Sequence, residues 1–136
     1  RQDPLVALVL KSSDFVDSLN RESLRVKGLA RGNYRLDIDG ESAGTFSGEQ
    51  FAAGINLADL PTPMSRQAAA VHELTLLRTN IHNTRWRQLQ VPLQTNETPE
   101  LLNALKSLDE LEARMVRDQH TAAQPRAHRY QLTAVE

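Results

Sequence analysis

Residues 71–92, "VHELTLLRTNIHNTRWRQLQVP", hold two of the four histidines and the single tryptophan of the chain. The stretch opens on His72-Glu73, the first half of a His-Glu-x-x-His zinc motif. That motif works because histidines four residues apart share one helix face and the glutamate between them serves as base. Position 76 is leucine, so the second ligand is missing. His72 and His82 lie about 280° apart around a helix and do not share a face. No metal site is expected.

Other chemistries fail for equally concrete reasons. A serine nucleophile needs a base and an oxyanion hole. "GTFSGE" is not Gly-x-Ser-x-Gly, because Gly44 and Gly48 are misplaced around Ser47. Ser47 reads instead as a helix cap. The six glycines sit at turns and element ends and form neither a Gly-x-Gly-x-x-Gly nor a Walker loop. Asp37 and Asp39 fall on one strand face, opposite the apolar one, and read as solvated rather than as an acid/base pair. The expectation is therefore no catalytic residue, no cofactor-binding residue and no cofactor. One cluster remains: Asn80, His82, Arg85, Trp86 and Arg87. Aromatic plus arginine is the usual composition of anchors that dock to a partner or a ligand. The plainer alternative is that Trp86, about 140° from Ile81 and grouped with Leu89, packs on the β-region of its own chain.

The elements that must position this cluster are legible from periodicity and punctuation. "PLVALVLK" (4–11) reads as a short buried strand or entry segment. Ser13 followed by Phe15, Val16 and Leu19 reads as one or two helical turns. "SLRVKGL" (23–29) alternates Leu24 and Val26, then reaches Leu29. "NYRLDID" (33–39) puts Tyr34, Leu36 and Ile38 on one face, the period of a half-buried strand. Asp39-Gly40 supplies the pair that a two-residue hairpin turn requires, since both central residues need positive φ. "ESAGTFS" (41–47) returns. Ser47 and Gln50 form a capping box for a turn stopped by Gly54. "INLADLPT" (55–62) has no period and reads as a connector.

Two long helices follow. Thr62-Pro63 is a cap followed by proline at the first helical position, and Thr98-Pro99 repeats the signal. Met64, Ala68, Val71, Leu74, Leu77 and Ile81 read as one apolar stripe, on a helix that runs to about Leu89 and is ended by Pro92. Leu101, Leu105, Leu108, Leu111 and Met115 form the second stripe, and Pro125 stops that helix. The short link makes the two helices antiparallel neighbours. "AHRYQLTAVE" then alternates Tyr130, Leu132 and Ala134, a last strand able to join the β-region. The fold class expected is α+β: a small antiparallel β-sheet region with a long antiparallel helical hairpin. We expect a single domain over 1–136. Its β-region spans about 5–60 plus a terminal strand over 129–135, and its helical hairpin spans about 63–124.

Composition narrows the function classes. The 136 residues suit one domain, and 40% are apolar, enough for a core. With 16 basic and 17 acidic residues, the net charge of -1 gives no electrostatic footprint for nucleic acid or an anionic membrane. No run approaches the roughly 20 apolar residues of a membrane span. Leu5 to Leu10 lacks the basic n-region of a signal peptide. There is no cysteine, which excludes disulfides, thiolate nucleophiles and cysteine-ligated zinc. The opening "RQDP" has no methionine, and the expectation is a piece of something longer.

Two blocks together, "SLRVKGLARGNYRLDIDGESAGTFSGEQFAAGINLA" and "TPMSRQAAAVHELTLLRTNIHNTRWRQLQVPL", resemble the C-terminal region of bacterial SGNH (GDSL-like) hydrolases. The type is the lipase/acylhydrolase of planctomycetes and related bacteria. The resemblance is carried by Leu24, Val26, Gly28 and Leu29, by Tyr34 and the Ile38-Asp39-Gly40 turn, by Ala52 to Ala58, and by Arg85 to Arg87. It covers roughly residues 5 to 135. The family's Gly-Asp-Ser block and its Asp-x-x-His block do not occur here, so none of its catalytic residues can be placed on this sequence. The resemblance implies a non-catalytic C-terminal module of an ester-hydrolysing parent, with the SGNH catalytic domain as partner and a secreted or periplasmic location. Two alternatives stand beside it: a free-standing carbohydrate- or protein-binding module, and an enzyme with an unfamiliar site.

Overall fold

The computed structural model describes Leu8 and residues 20–135. The strand or entry segment expected over 4–11, apart from Leu8, and the helical turns around Phe15, Val16 and Leu19 lie outside the described residues. The fold is α+β, with antiparallel sheets and two long helices. It divides into two compact units: the described residues up to Ser65 together with those from Ala127, and Arg66–Arg126.

The first unit is built on strands β2 (Asn33–Ile38), β3 (Glu41–Ser47) and β5 (Tyr130–Val135), in the order β3-β2-β5 with both pairings antiparallel. Ile38 pairs with Glu41 across a two-residue turn. Its central residues, Asp39 at φ 54° and Gly40 at φ 85°, have the positive values that this turn demands. The register then shifts: Leu36 faces Gly44 while Asp37 faces Ser42, so Ala43 is an extra residue in β3. Beside the bulge the expected buried-exposed alternation of β2 does not hold. Leu36, Asp37 and Ile38 are all buried, and Asp37 is only 8% exposed. The reading of Asp37 as a solvated carboxylate is thereby corrected. Its Oδ2 accepts a hydrogen bond from Arg35 Nε at 3.0 Å, the partner that a buried carboxylate requires.

Helix α1 (Gly48–Ala53) follows β3 directly, and the capping box is present in full. Ser47 Oγ accepts from the Gln50 amide at 3.1 Å, and Gln50 Oε1 accepts from the Ser47 amide at 2.8 Å. Gly54, at φ 106°, stops the helix. This places Phe51 in the core, where it is fully buried with Leu36, Ile38 and Leu57 and meets the Phe46 ring edge to face at 5.6 Å.

The segment 23–29 forms strand only at β1 (Ser23–Leu24). Beyond it, Val26 donates its amide to the Phe51 carbonyl at 3.0 Å, which takes the chain out of any ladder. Leu24, Val26 and Leu29 still pack against the core. The partner of β1 is β4 (Ile55–Asn56), within the segment read as a connector. Two residues are too short for any period to show. Backbone and side chain both tie the two segments: the Leu57 amide donates to the Glu22 carbonyl at 2.7 Å, and Asn56 accepts from the Glu22 amide and donates to the Asn20 carbonyl, each at 2.9 Å.

Helix α2 (Pro63–Asn83) starts at the expected cap. Thr62 Oγ1 accepts from the Ser65 amide and Ser65 Oγ accepts from the Thr62 amide, each at 3.1 Å. Helix α3 (Pro99–Ala122) is capped by Thr98, whose Oγ1 accepts from the Leu101 amide at 3.2 Å. Within the second unit these helices lie antiparallel, with Gln67 meeting residue 122 at one end and Arg85 meeting Asp109 at the other.

The seam between them is more polar than the expected stripes implied. Gln119 Nε2 donates to Thr75 Oγ1 at 2.6 Å, and Arg78 and His82 both reach Glu112. Thr75, Arg78, His82 and Arg85 follow one another at steps of three or four, which makes them a face of α2. Leu77 is next to Arg78 and so lies about 100° around the helix from it. It is 47% exposed, and its assignment to the buried stripe is corrected. Val71 and Leu74 are half-buried, while Ile81, Leu101 and Leu105 are buried. The apolar part of the pair is thus concentrated toward the interhelical link.

Candidate functional site

The cluster Asn80, His82, Arg85, Trp86 and Arg87 sits where α2 changes its winding. Residues Thr84–Gln90 form a π-helical segment, followed by a last α-turn at Val91–Leu93. The Val91 amide donates to the Trp86 carbonyl five residues back. The helix was expected to stop near Leu89 and reaches Leu93 instead, with Pro92 inside its last turn. A proline there removes one hydrogen bond and crowds the carbonyl four residues earlier. The bonding immediately before it has already shifted to the wider five-residue pattern, which suits that crowding.

The cluster divides between two faces of the helix. His82 and Arg85 point into the seam. His82 Nδ1 lies 3.2 Å from Glu112 Oε2, and Arg78 Nε donates to Glu112 Oε1 at 3.4 Å. Arg85 Nη2 donates to Asp109 Oδ2 at 3.0 Å, Nη1 donates to Gln90 Oε1 at 2.6 Å, and Nε faces Asp109 Oδ1. The hydrogen bond to Asp109, and then the charges of Asp109 and Glu112, hold the guanidinium pKa above its ordinary value against the opposing desolvation. Trp86 and Arg87 face away: Trp86 is 47% exposed, and the Arg87 guanidinium carbon lies 5.5 Å from its ring centroid. That distance is within reach of a cation–π contact. Leu89, grouped with Trp86 at the sequence level, is half-buried. Asn80 is exposed. The five residues therefore do not converge on one point.

Beside the wide segment lies an open cleft of about 270 Å³. Leu101, Leu102 and Leu105 form its apolar part, and Arg85, Gln90, Lys106 and Asp109 are among its polar groups. Charges of both signs line it, and Arg85 and Asp109 are bonded to each other. Sequence reasoning did not find Asp109 and Glu112. Acidic residues on a helix surface carry no signal of their own until the interhelical register is known.

The other candidates are placed plainly. Ser47 is occupied as a cap. His72 is exposed, and among the described residues no group of three or more histidine, cysteine or acidic side chains could hold a metal ion. Asp39 joins a contact that the sequence did not announce: its Oδ2 lies 2.7 Å from His128 Nδ1, and its Oδ1 accepts from the Arg129 amide at 2.8 Å. Tyr130, next in β5, has its pKa raised by burial first, then by the charges of Glu22 and Asp39. This arrangement ties a turn to a strand. Among the described residues no helix is long and apolar enough to cross a membrane.

No family model matches the sequence, and no curated protein matches it. Among solved structures, the chain is similar to a gut microbial diltiazem-metabolizing enzyme, with a TM-score of 0.73 and 22% sequence identity. The match covers 95% of this chain and 37% of that one, so the chain spans little more than a third of the enzyme's length. At this identity the likeness concerns the fold.

Proposed function

We propose that the chain is the non-catalytic C-terminal module of an SGNH (GDSL-type) ester hydrolase, packing on or extending the catalytic domain of its parent. The observation that carries this reading is the helical hairpin's unusual division of residues. Paired helices ordinarily bury their apolar faces against each other. Here Thr75, Arg78, His82 and Arg85 take the seam, while Leu76, Leu77, Trp86 and Leu102 are each about half exposed. Exposed apolar side chains of this size suit a surface that packs on another body. The solved neighbour supports the reading in one respect: a fold like this one forms a little over a third of a longer enzyme. The sequence resemblance supplies the SGNH assignment and a secreted or periplasmic location. The test has two arms. Purified residues 1–136 should not hydrolyse a p-nitrophenyl ester above buffer, and the reading frame upstream should encode a Gly-Asp-Ser block. Turnover that follows the folded protein and disappears in Ser47→Ala would overturn the first arm. An upstream frame without that block would overturn the SGNH parentage.

A second reading, a free-standing carbohydrate- or protein-binding module, is favoured by the exposed Trp86 ring with the Arg87 guanidinium stacked on it. It expects amide shifts around Trp86 when simple sugars or a glycan panel are titrated, and Trp86→Ala should abolish them.

A further inference from the structure

We draw no further inference here: the strongest candidate, the exposed apolar end of the helical hairpin formed by Trp86, Val91, Leu93 and Leu102, adjoins the patch already described, and nothing among the described residues shows what covers it.

Discussion

His128 and Asp39 stand 89 positions apart in the sequence, yet the His128 ring nitrogen lies 2.7 Å from the Asp39 carboxylate. The same carboxylate accepts the Arg129 amide, and the Asp39 amide donates to the Arg129 carbonyl at 2.9 Å. One turn residue thus anchors the start of β5 through both its side chain and its backbone. Asp39→Ala removes the acceptor and leaves a residue less tolerant of positive φ. We expect a loss of about 1–3 kcal/mol in urea unfolding, from the exposed hydrogen bonds given up and the added backbone strain together. Asp39→Asn keeps an acceptor and tolerates the conformation, so it should lose less. Equal losses for the two variants would contradict the role assigned to the carboxylate and the backbone together.

Gly40 offers a cleaner test of backbone conformation. A Cβ built there meets nothing within 4 Å, so any penalty arises from its φ of 85° rather than from a clash. Gly40→Val should cost about 1 kcal/mol or more. A melting temperature unchanged from the parent would mean that the turn can be remade in another form.

Two leucines of the chain should behave very differently. Leu36 is fully buried, and Leu36→Ala should cost about 2–5 kcal/mol. Leu77→Ala should stay within about 1 kcal/mol in the isolated chain, since the side chain is 47% exposed. Calorimetry of both variants decides the matter, and a Leu77→Ala loss as large as that of Leu36→Ala would restore the apolar stripe.

The acidic residues of α3 should set pairing more than stability. Glu112 meets both Arg78 and His82, whose side chains remain 44% and 59% exposed. Glu112→Ala should cost about 0.2–1 kcal/mol, as exposed ion pairs do. A larger loss in denaturant titration would show that the seam is a main source of the unit's cohesion.

Alkaline pH should act through Tyr130. Its folded pKa is raised above the ordinary 10.0, first by burial and then by the charges of Glu22 and Asp39. A raised value means that folding favours the neutral phenol, so this contribution is complete below pH 10 and is lost as the pH rises through the folded pKa. Tyrosinate absorbance should contain a component titrating above 10 that Tyr130→Phe removes. Its disappearance in Glu22→Gln, with no change in Tyr130→Phe, would assign the shift to another group.

Much of this architecture could be read from the sequence because local chemistry specifies it. Asp39-Gly40, Ser47 with Gln50, Thr62-Pro63 and Thr98-Pro99 each define a turn or a cap within four residues, and all four appear where expected. The misreadings arise where distant or irregular geometry decides. Asp37 is buried at the point where the β2–β3 register shifts and Ala43 has no partner across the ladder. The β1–β4 pairing is a two-residue backbone ladder, too short for alternation to show, and the Asn56 side chain braces the chain just before β1. Within the candidate cluster, composition picked out the residues, but the face they share with the other helix depends on the interhelical register. Arg85 continues the steps of three and four from Thr75, Arg78 and His82 and so meets Asp109, while Trp86, one residue on, lies about 100° away and is exposed.

The pairing of β5 with β2 has a kinetic consequence. Every residue of α2 and α3 lies between these neighbouring strands in the sequence. During synthesis β2 and β3 can close on their own turn at once, but one flank of β2 must wait until the whole helical pair has left the ribosome. The first unit therefore carries a high contact order despite its small size, and its completion should be slow beside that of the helices. Until Tyr130–Val135 arrives, the open edge of β2 is the place where a nascent chain would meet the wrong strand, a hazard that chaperones are suited to cover.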